Sequence, residues 1–285
     1  MRWTPGGRSA DVEDRRGQVA AGGFRGGPAS IGVVLVLLVL SLLTGRNFLA
    51  FLDPGTIDTT DAPVSSEAPP VNASPDEERL VEFVSFVLDD AQKTWRQLLP
   101  GQYRNAKLVL FRDATQTGCG YGQAASGPFY CPADEKVYID LGFYDELKER
   151  FGASGDFAQA YVITHEIGHH VQHLRGIDQE VRQLQESRPA AANDLSVRLE
   201  LQADCLAGVW GHSTAQRNIL EQGDVEEALN AAASIGDDRI QRSSGRRVQP
   251  DSFTHGSSAQ RVEWFRRGME SGNLNACDTF GRGSD

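Results

Sequence analysis

The sequence predicts a helix-rich α+β protein with a small sheet, set behind one N-terminal transmembrane helix. Three observations lead there. Between Arg25 and Arg46 lie twenty residues without a charge, and Ile31 to Leu43 are nearly all Val, Leu and Ile. Two short β-type runs fall within residues 107–141, while apolar residues recur at three-and-four spacing before and after them. With 40% hydrophobic and 24% charged residues, the 285-residue chain has enough apolar surface to bury a core.

The uncharged stretch comes first. A helix of about 20 residues spans roughly 30 Å, the thickness of a hydrocarbon core, so residues 28–52 read as a membrane anchor. Before it stand Arg2, Arg8, Arg15, Arg16 and Arg25 against three acids, which places residues 1–27 as a cytoplasmic tail and the remainder outside the cytoplasm. A cleaved signal peptide is the rival reading. Against it, Thr44-Gly45-Arg46-Asn47-Phe48 follows the apolar run with no small-residue cleavage site. Residues 53–75 carry five prolines and no basic residue, the composition of a linker.

The domain proper is read as residues 76–285. Ser74-Pro75-Asp76-Glu77 offers an N-cap serine with proline at the first helical position. Leu80, Phe83, Val84, Val87, Leu88, Ala91, Trp95 and Leu98 then mark one buried helical face. Lys107–Phe111 and Val137–Leu141 read as strands. The Gly-rich stretch Thr117–Pro132 between them reads as a loop or hairpin closed by a Cys119–Cys131 disulfide, which pairs Cys205 with Cys277 by elimination. Helices are expected near Tyr144–Arg150, Asp156–Leu174, Leu195–Trp210, Val225–Ala233 and Ala259–Glu270. A net charge of −11 argues against nucleic acid as a partner. Oligomeric state has no signal.

The chemistry concentrates in Thr164-His165-Glu166-Ile167-Gly168-His169. On a helix, His165 and His169 share a face and can reach one metal ion, with Glu166 beside its open position. Zinc there would lower the pKa of a bound water to about 7, and Glu166 could take its proton as general base. A third ligand is needed. Glu200 and Asp204 lie four apart on an otherwise apolar helix, so Glu200 is the first candidate, with Asp204 accepting a hydrogen bond from a ligand imidazole. Pairing of these acids with Arg198 or another basic residue is the plain alternative, and Asp194 and Glu186, read as lying in a loop, are weaker rivals as ligand. His170, His173 and His212 read as structural. His255, in a loop before the last helix, reads as a donor to the transition state.

HEIGHHVQ, then ELQADCLAG, preceded by TGCGYGQAASGPFYCPADEKVYIDL and followed by SFTHGSSAQR, resembles the bacterial neutral zinc metallopeptidase family. The resemblance spans roughly residues 76–280. It implies a zincin-like domain behind a membrane segment, zinc held through His165 and His169, and Glu166 as base. The Glu-x-x-x-Asp element is similar to that of the gluzincin peptidases, which implies Glu200 as third ligand and Asp204 as its supporting acid. The expected activity is zinc-dependent hydrolysis of peptide bonds in extracytoplasmic proteins or peptides. Two other readings stand beside it: a catalytically silent, zinc-binding membrane scaffold, and a zinc amidase acting on cell-wall peptide.

Overall fold

A computed structural model describes residues 1–18, 71, 73–123, 127–150 and 152–281. They build a helix-rich α+β fold around a four-stranded sheet. Strand β1 (Val12–Asp14) runs parallel to β2 (Lys107–Phe111), with Glu13 opposite Val109. β2 runs parallel to β6 (Lys136–Asp140), and β5 (Phe129–Cys131) closes the edge antiparallel to β6. Between β2 and β5, β3 (Ala114–Thr117) and β4 (Gly120–Gln123) form a separate hairpin. Of the loop or hairpin expected over the Gly-rich stretch, the hairpin is found, and the Cys119–Cys131 disulfide ties its turn to the edge strand.

Helix α1 (Pro75–Leu98) begins on Ser74, whose side chain accepts from the Glu77 N–H at 3.2 Å. Its buried stripe of Val81, Val84, Val87, Leu88, Ala91 and Trp95 joins the main core. Burial of each large side chain there stabilises by about 1.5–3 kcal/mol. The later helices are α2 (Phe143–Glu149), α3 (Asp156–Leu174), α4 (Ile177–Ser187), α5 (Ala192–Gln216), α6 (Asp224–Ser234), α7 (Asp237–Ser243) and α8 (Ser258–Ser271). α3 is central, and Phe157, Ala160, Tyr161 and Ile163 on it are wholly buried.

Close helix contact depends on missing side chains. A Cβ on Gly168 would come 3.0 Å from the Ala203 carbonyl oxygen, so α3 and α5 approach backbone to backbone beside the two histidines. Gly208 and Gly268 do the same between α5 and α8, where a Cβ would collide with the Phe265 and Cys205 carbonyls. The second disulfide, Cys205–Cys277, ties the chain end to α5 across 72 residues. In the chain-entropy account a loop of that length is worth about 4 kcal/mol.

The N-terminal reading needs correction. The expected anchor, residues 28–52, lies outside the described residues, as does nearly all of the expected linker. Among the described residues no helix is long and apolar enough to cross a membrane. Residues 1–18, read as a cytoplasmic tail, belong to the same body as the rest of the domain. Trp3 packs edge-on against Phe83, and the buried Arg16 guanidinium bonds Asp14, Glu77 and Glu78 at 2.7–2.9 Å. Adjacent strands sit about 4.8 Å apart, and a bilayer core about 30 Å thick cannot separate them. Tail and domain thus share one side. A single-pass topology with an extracytoplasmic domain is therefore not supported.

Candidate functional site

α3 and α5 cross at Gly168 and Ala203, and the crossing sets two histidines of one helix against two acids of the other. His165 Nε2 lies 3.2 Å from Glu200 Oε2, and His169 Nε2 lies 3.4 Å from Glu200 Oε1. One ligand atom from each of the three residues falls within 4.8 Å of the others, which could hold a metal ion.

The opposite ring nitrogens fix the tautomers. His165 Nδ1 is 2.9 Å from Asp204 Oδ1, a carboxylate that only accepts, so Nδ1 carries the proton. Gln172 Nε2 donates to the Leu199 carbonyl at 2.7 Å. That turns Gln172 Oε1 towards His169 Nδ1 at 2.8 Å, which is again N–H. Both Nε2 lone pairs therefore face Glu200. The donor set, two neutral imidazoles and one carboxylate, fits zinc with one position to spare.

Charge supports the same fit. Burial alone would lower the His165 pKa, but Asp204 and Glu200 outweigh it and carry it up to about 10. Burial likewise works to raise the Glu200 pKa, and His169 and His165 outweigh it, holding the carboxyl well below its usual range. Without a metal this buried group draws protons. A divalent cation satisfies the same carboxylates and frees both imidazoles to coordinate.

Behind His165 stands a buried polar network. The wholly buried Asp204 accepts from Arg261 Nε at 2.8 Å and Nη2 at 2.9 Å, and from the Tyr161 hydroxyl at 2.5 Å. Sequence reasoning missed Tyr161, Gln172 and Arg261. Their signal was positional: Tyr161 and Gln172 lie four residues before and seven after His165 on one helix. Arg261 shares with Phe265 and Gly268 the buried stripe of α8, where a charge has no solvent. Arg198 pairs with Asp194 at 2.9 Å; the basic partner of Asp204 is instead Arg261, whose Nη2 also lies 4.0 Å from Glu200 Oε2. Glu186 and Asp194, expected in a loop, both lie on helices, in α4 and α5.

Glu166 is buried and lines an open cavity of about 580 Å³ together with His165, His169, Glu200 and Arg261. His255 lines it too, half-exposed, from the loop before α8. Asp237 at the start of α7 organises that loop. Its Oδ2 accepts the N–H groups of Thr254, His255 and Gly256 at 2.7–3.0 Å, and its Oδ1 lies 3.2 Å from His255 Nδ1. This hydrogen bond, partly offset by burial, raises the His255 pKa. The other α3 histidines face elsewhere: His170 bonds the Tyr130 hydroxyl and the Arg104 carbonyl, and His173 bonds Asp178. A second acidic group, Asp156, Asp224 and Glu227, is occupied by the chain's own donors. The Met1 ammonium bonds the two aspartates, and the Phe157 N–H bonds Glu227.

The chain is 51% identical over 290 residues to the uncharacterized protein YpfJ of Escherichia coli K12, covering 99% of each. It is 45% identical over 197 residues to an uncharacterized protein of Mycobacterium tuberculosis H37Rv, covering 65% of this chain and 66% of that one. No solved structure matches. The profile of the family described as "Putative neutral zinc metallopeptidase" matches residues 1–280, a stretch that contains every residue of the site. With that match across nearly its whole length, the chain belongs to the neutral zinc metallopeptidase family.

Proposed function

We propose that the chain hydrolyses peptide bonds with zinc, in a zincin-like arrangement. His165, His169 and Glu200 hold the metal, Glu166 is the general base, Asp204 orients His165, and His255 assists the transition state. One observation carries the reading above the rest: two imidazole lone pairs and one carboxylate converge at the wall of an open cavity that Glu166 also lines. A closed structural site would place a fourth protein ligand there.

When bound, zinc supplies a water of lowered pKa and polarises the carbonyl under attack. Glu166 follows His165 directly and is held in the cavity wall, placed to take the proton of the attacking water. It then passes that proton to the departing amine. Asp204 and Gln172 keep the two ligand imidazoles in the tautomer that binds metal. The test is zinc content and casein hydrolysis of the full chain, before and after chelation. We expect one zinc per chain, activity lost with chelator and restored by zinc. Stoichiometric zinc without hydrolysis of any peptide would sink the reading.

His255 acts through its charge. With Nδ1–H directed at Asp237, the neutral ring has a bare Nε2 and no donor for the cavity. Only the imidazolium donates there. Asp237 raises the His255 pKa, so the donor is present below that pKa and lost as pH rises through it. His255→Ala is expected to keep zinc and lower kcat by roughly 10²–10³, as losing one oxyanion donor does. Asp237→Asn should move the alkaline fall of activity to lower pH. A residue that only packs the loop would lower the melting temperature and leave turnover per bound zinc, and its pH limb, where they were.

A further inference from the structure

The stretch after α8 lies along α5. Thr279 donates its hydroxyl to the Arg198 carbonyl at 2.8 Å, Gln202 Nε2 donates to the Cys277 carbonyl at 3.0 Å, and Cys277 is bonded to Cys205. Residues 198, 202 and 205 follow at four-and-three spacing, so they share one face of α5. Gln202 and Cys277 are both buried there. From the Cys277 carbonyl a series of amides leads to His169. A backbone carbonyl only accepts, so it takes Gln202 Nε2 and turns Gln202 Oε1 inward, where Gln172 Nε2 donates to it at 3.1 Å. The other proton of that Gln172 amide goes to the Leu199 carbonyl. Gln172 Oε1 is left for His169 Nδ1, and His169 Nε2 faces Glu200.

We propose that Gln202 is a positioning residue for zinc: it passes the orientation of the disulfide-anchored Cys277 carbonyl through Gln172 to His169. The proposal rests on His169 as a zinc ligand, as in the reading above. Without Gln202 the Gln172 amide keeps the Leu199 carbonyl, but its second N–H loses its acceptor in a buried place. A buried donor without a partner is costly, so the amide turns to find one, and Gln172 Oε1 no longer holds the His169 Nδ1 proton in place. The Cys205–Cys277 bond enters because it fixes the carbonyl from which the series starts. Opened, it lets that carbonyl leave Gln202, and the effect on His169 is the same in kind. The C-terminal tail thus supports the metal site while touching neither the metal ligands nor the cavity.

The experiment measures zinc affinity of the full chain by competitive titration against a chromophoric chelator. Four proteins are compared: wild type, Gln202→Leu, Cys205→Ala/Cys277→Ala, and the triple variant. Gln202→Leu and the cysteine variant should each weaken zinc about tenfold, the low end of the scale for residues that orient a ligand. Because both act through one series of bonds, the triple variant should bind no worse than Gln202→Leu, whereas independent effects would add. If the cysteine variant does not fold, as melting curves will show, Gln202→Leu, Gln172→Leu and their combination run the same cycle with the disulfide intact, and non-additive losses are again expected. Additive losses in the cycle would mean that the disulfide or Gln202 acts elsewhere, for example on Asp204 beside Cys205, and would overturn the proposal. Wild-type affinity in Gln202→Leu overturns it too and leaves the zinc reading standing. A wild type that binds no zinc overturns both.

Discussion

Glu166→Gln is expected to bind zinc as wild type does and to lose peptide hydrolysis by about 10²–10⁴, the usual contribution of a general acid–base group. Glu166 is absent from the three-donor group, so its carboxylate is not needed to hold the metal. It is 7% exposed, and glutamine has nearly the same shape, so packing in the cavity wall survives. What disappears is a proton acceptor beside the attacked carbonyl. The loss belongs in kcat, with KM little changed, because the interaction is made in the transition state. His165→Ala and His169→Ala differ in kind, losing metal and activity together. Zinc content measured beside single-turnover hydrolysis separates the cases. Wild-type turnover in Glu166→Gln would remove the glutamate from the mechanism.

The parts of the molecule that could be read from sequence are those where local spacing and tertiary burial agree. α3 runs Asp156–Leu174 as expected, because its apolar residues recur helically up to the Gly176 that ends it. α4 is harder to see: Ile177, Val181 and Leu184 recur at four-and-three spacing, but they stand alone among polar neighbours. The β3–β4 stretch is legible only as loop or hairpin because glycines, weak strand formers, make up half of β4. The N-terminal segment misled for a different reason. Its arginines resemble a cytoplasmic flank, but Arg8 and Arg16 pair with Glu78, 70 and 62 residues away, and local composition carries no trace of such partners. The site divides the same way. His165, His169, Glu200 and Asp204 stand out because each pair lies four apart on an apolar helix. Asp237 acquires its role only when α7 meets the loop before α8, and Arg261 only when α8 folds back against α5.

Glu200→Ala should strip zinc as severely as loss of a histidine, whereas Asp204→Asn should weaken zinc about 10–100-fold, the scale for a residue that orients a ligand. The two should separate further in the metal-free protein. Asp204 is the carboxylate partner of the Arg261 guanidinium, which is 2% exposed. Neutralising Asp204 leaves a buried cation without its counter-charge, at a cost of about 3–5 kcal/mol. Glu200 is nearer the cavity, with its side chain 18% exposed, and its removal strands no buried guanidinium. Asp204→Asn should therefore melt well below wild type without metal, and Glu200→Ala much less so. Replacing Arg261 as well, in Asp204→Asn/Arg261→Met, should recover part of the stability and none of the zinc affinity, since His165 still lacks its carboxylate acceptor. Competitive zinc titration and melting curves on the four proteins decide the matter. Full zinc content in Glu200→Ala would return the third ligand to Asp204, Asp194 or Glu186. Of these, Asp194 already pairs with Arg198 on an exposed turn of α5, and Asp204 is committed to Arg261 and Tyr161.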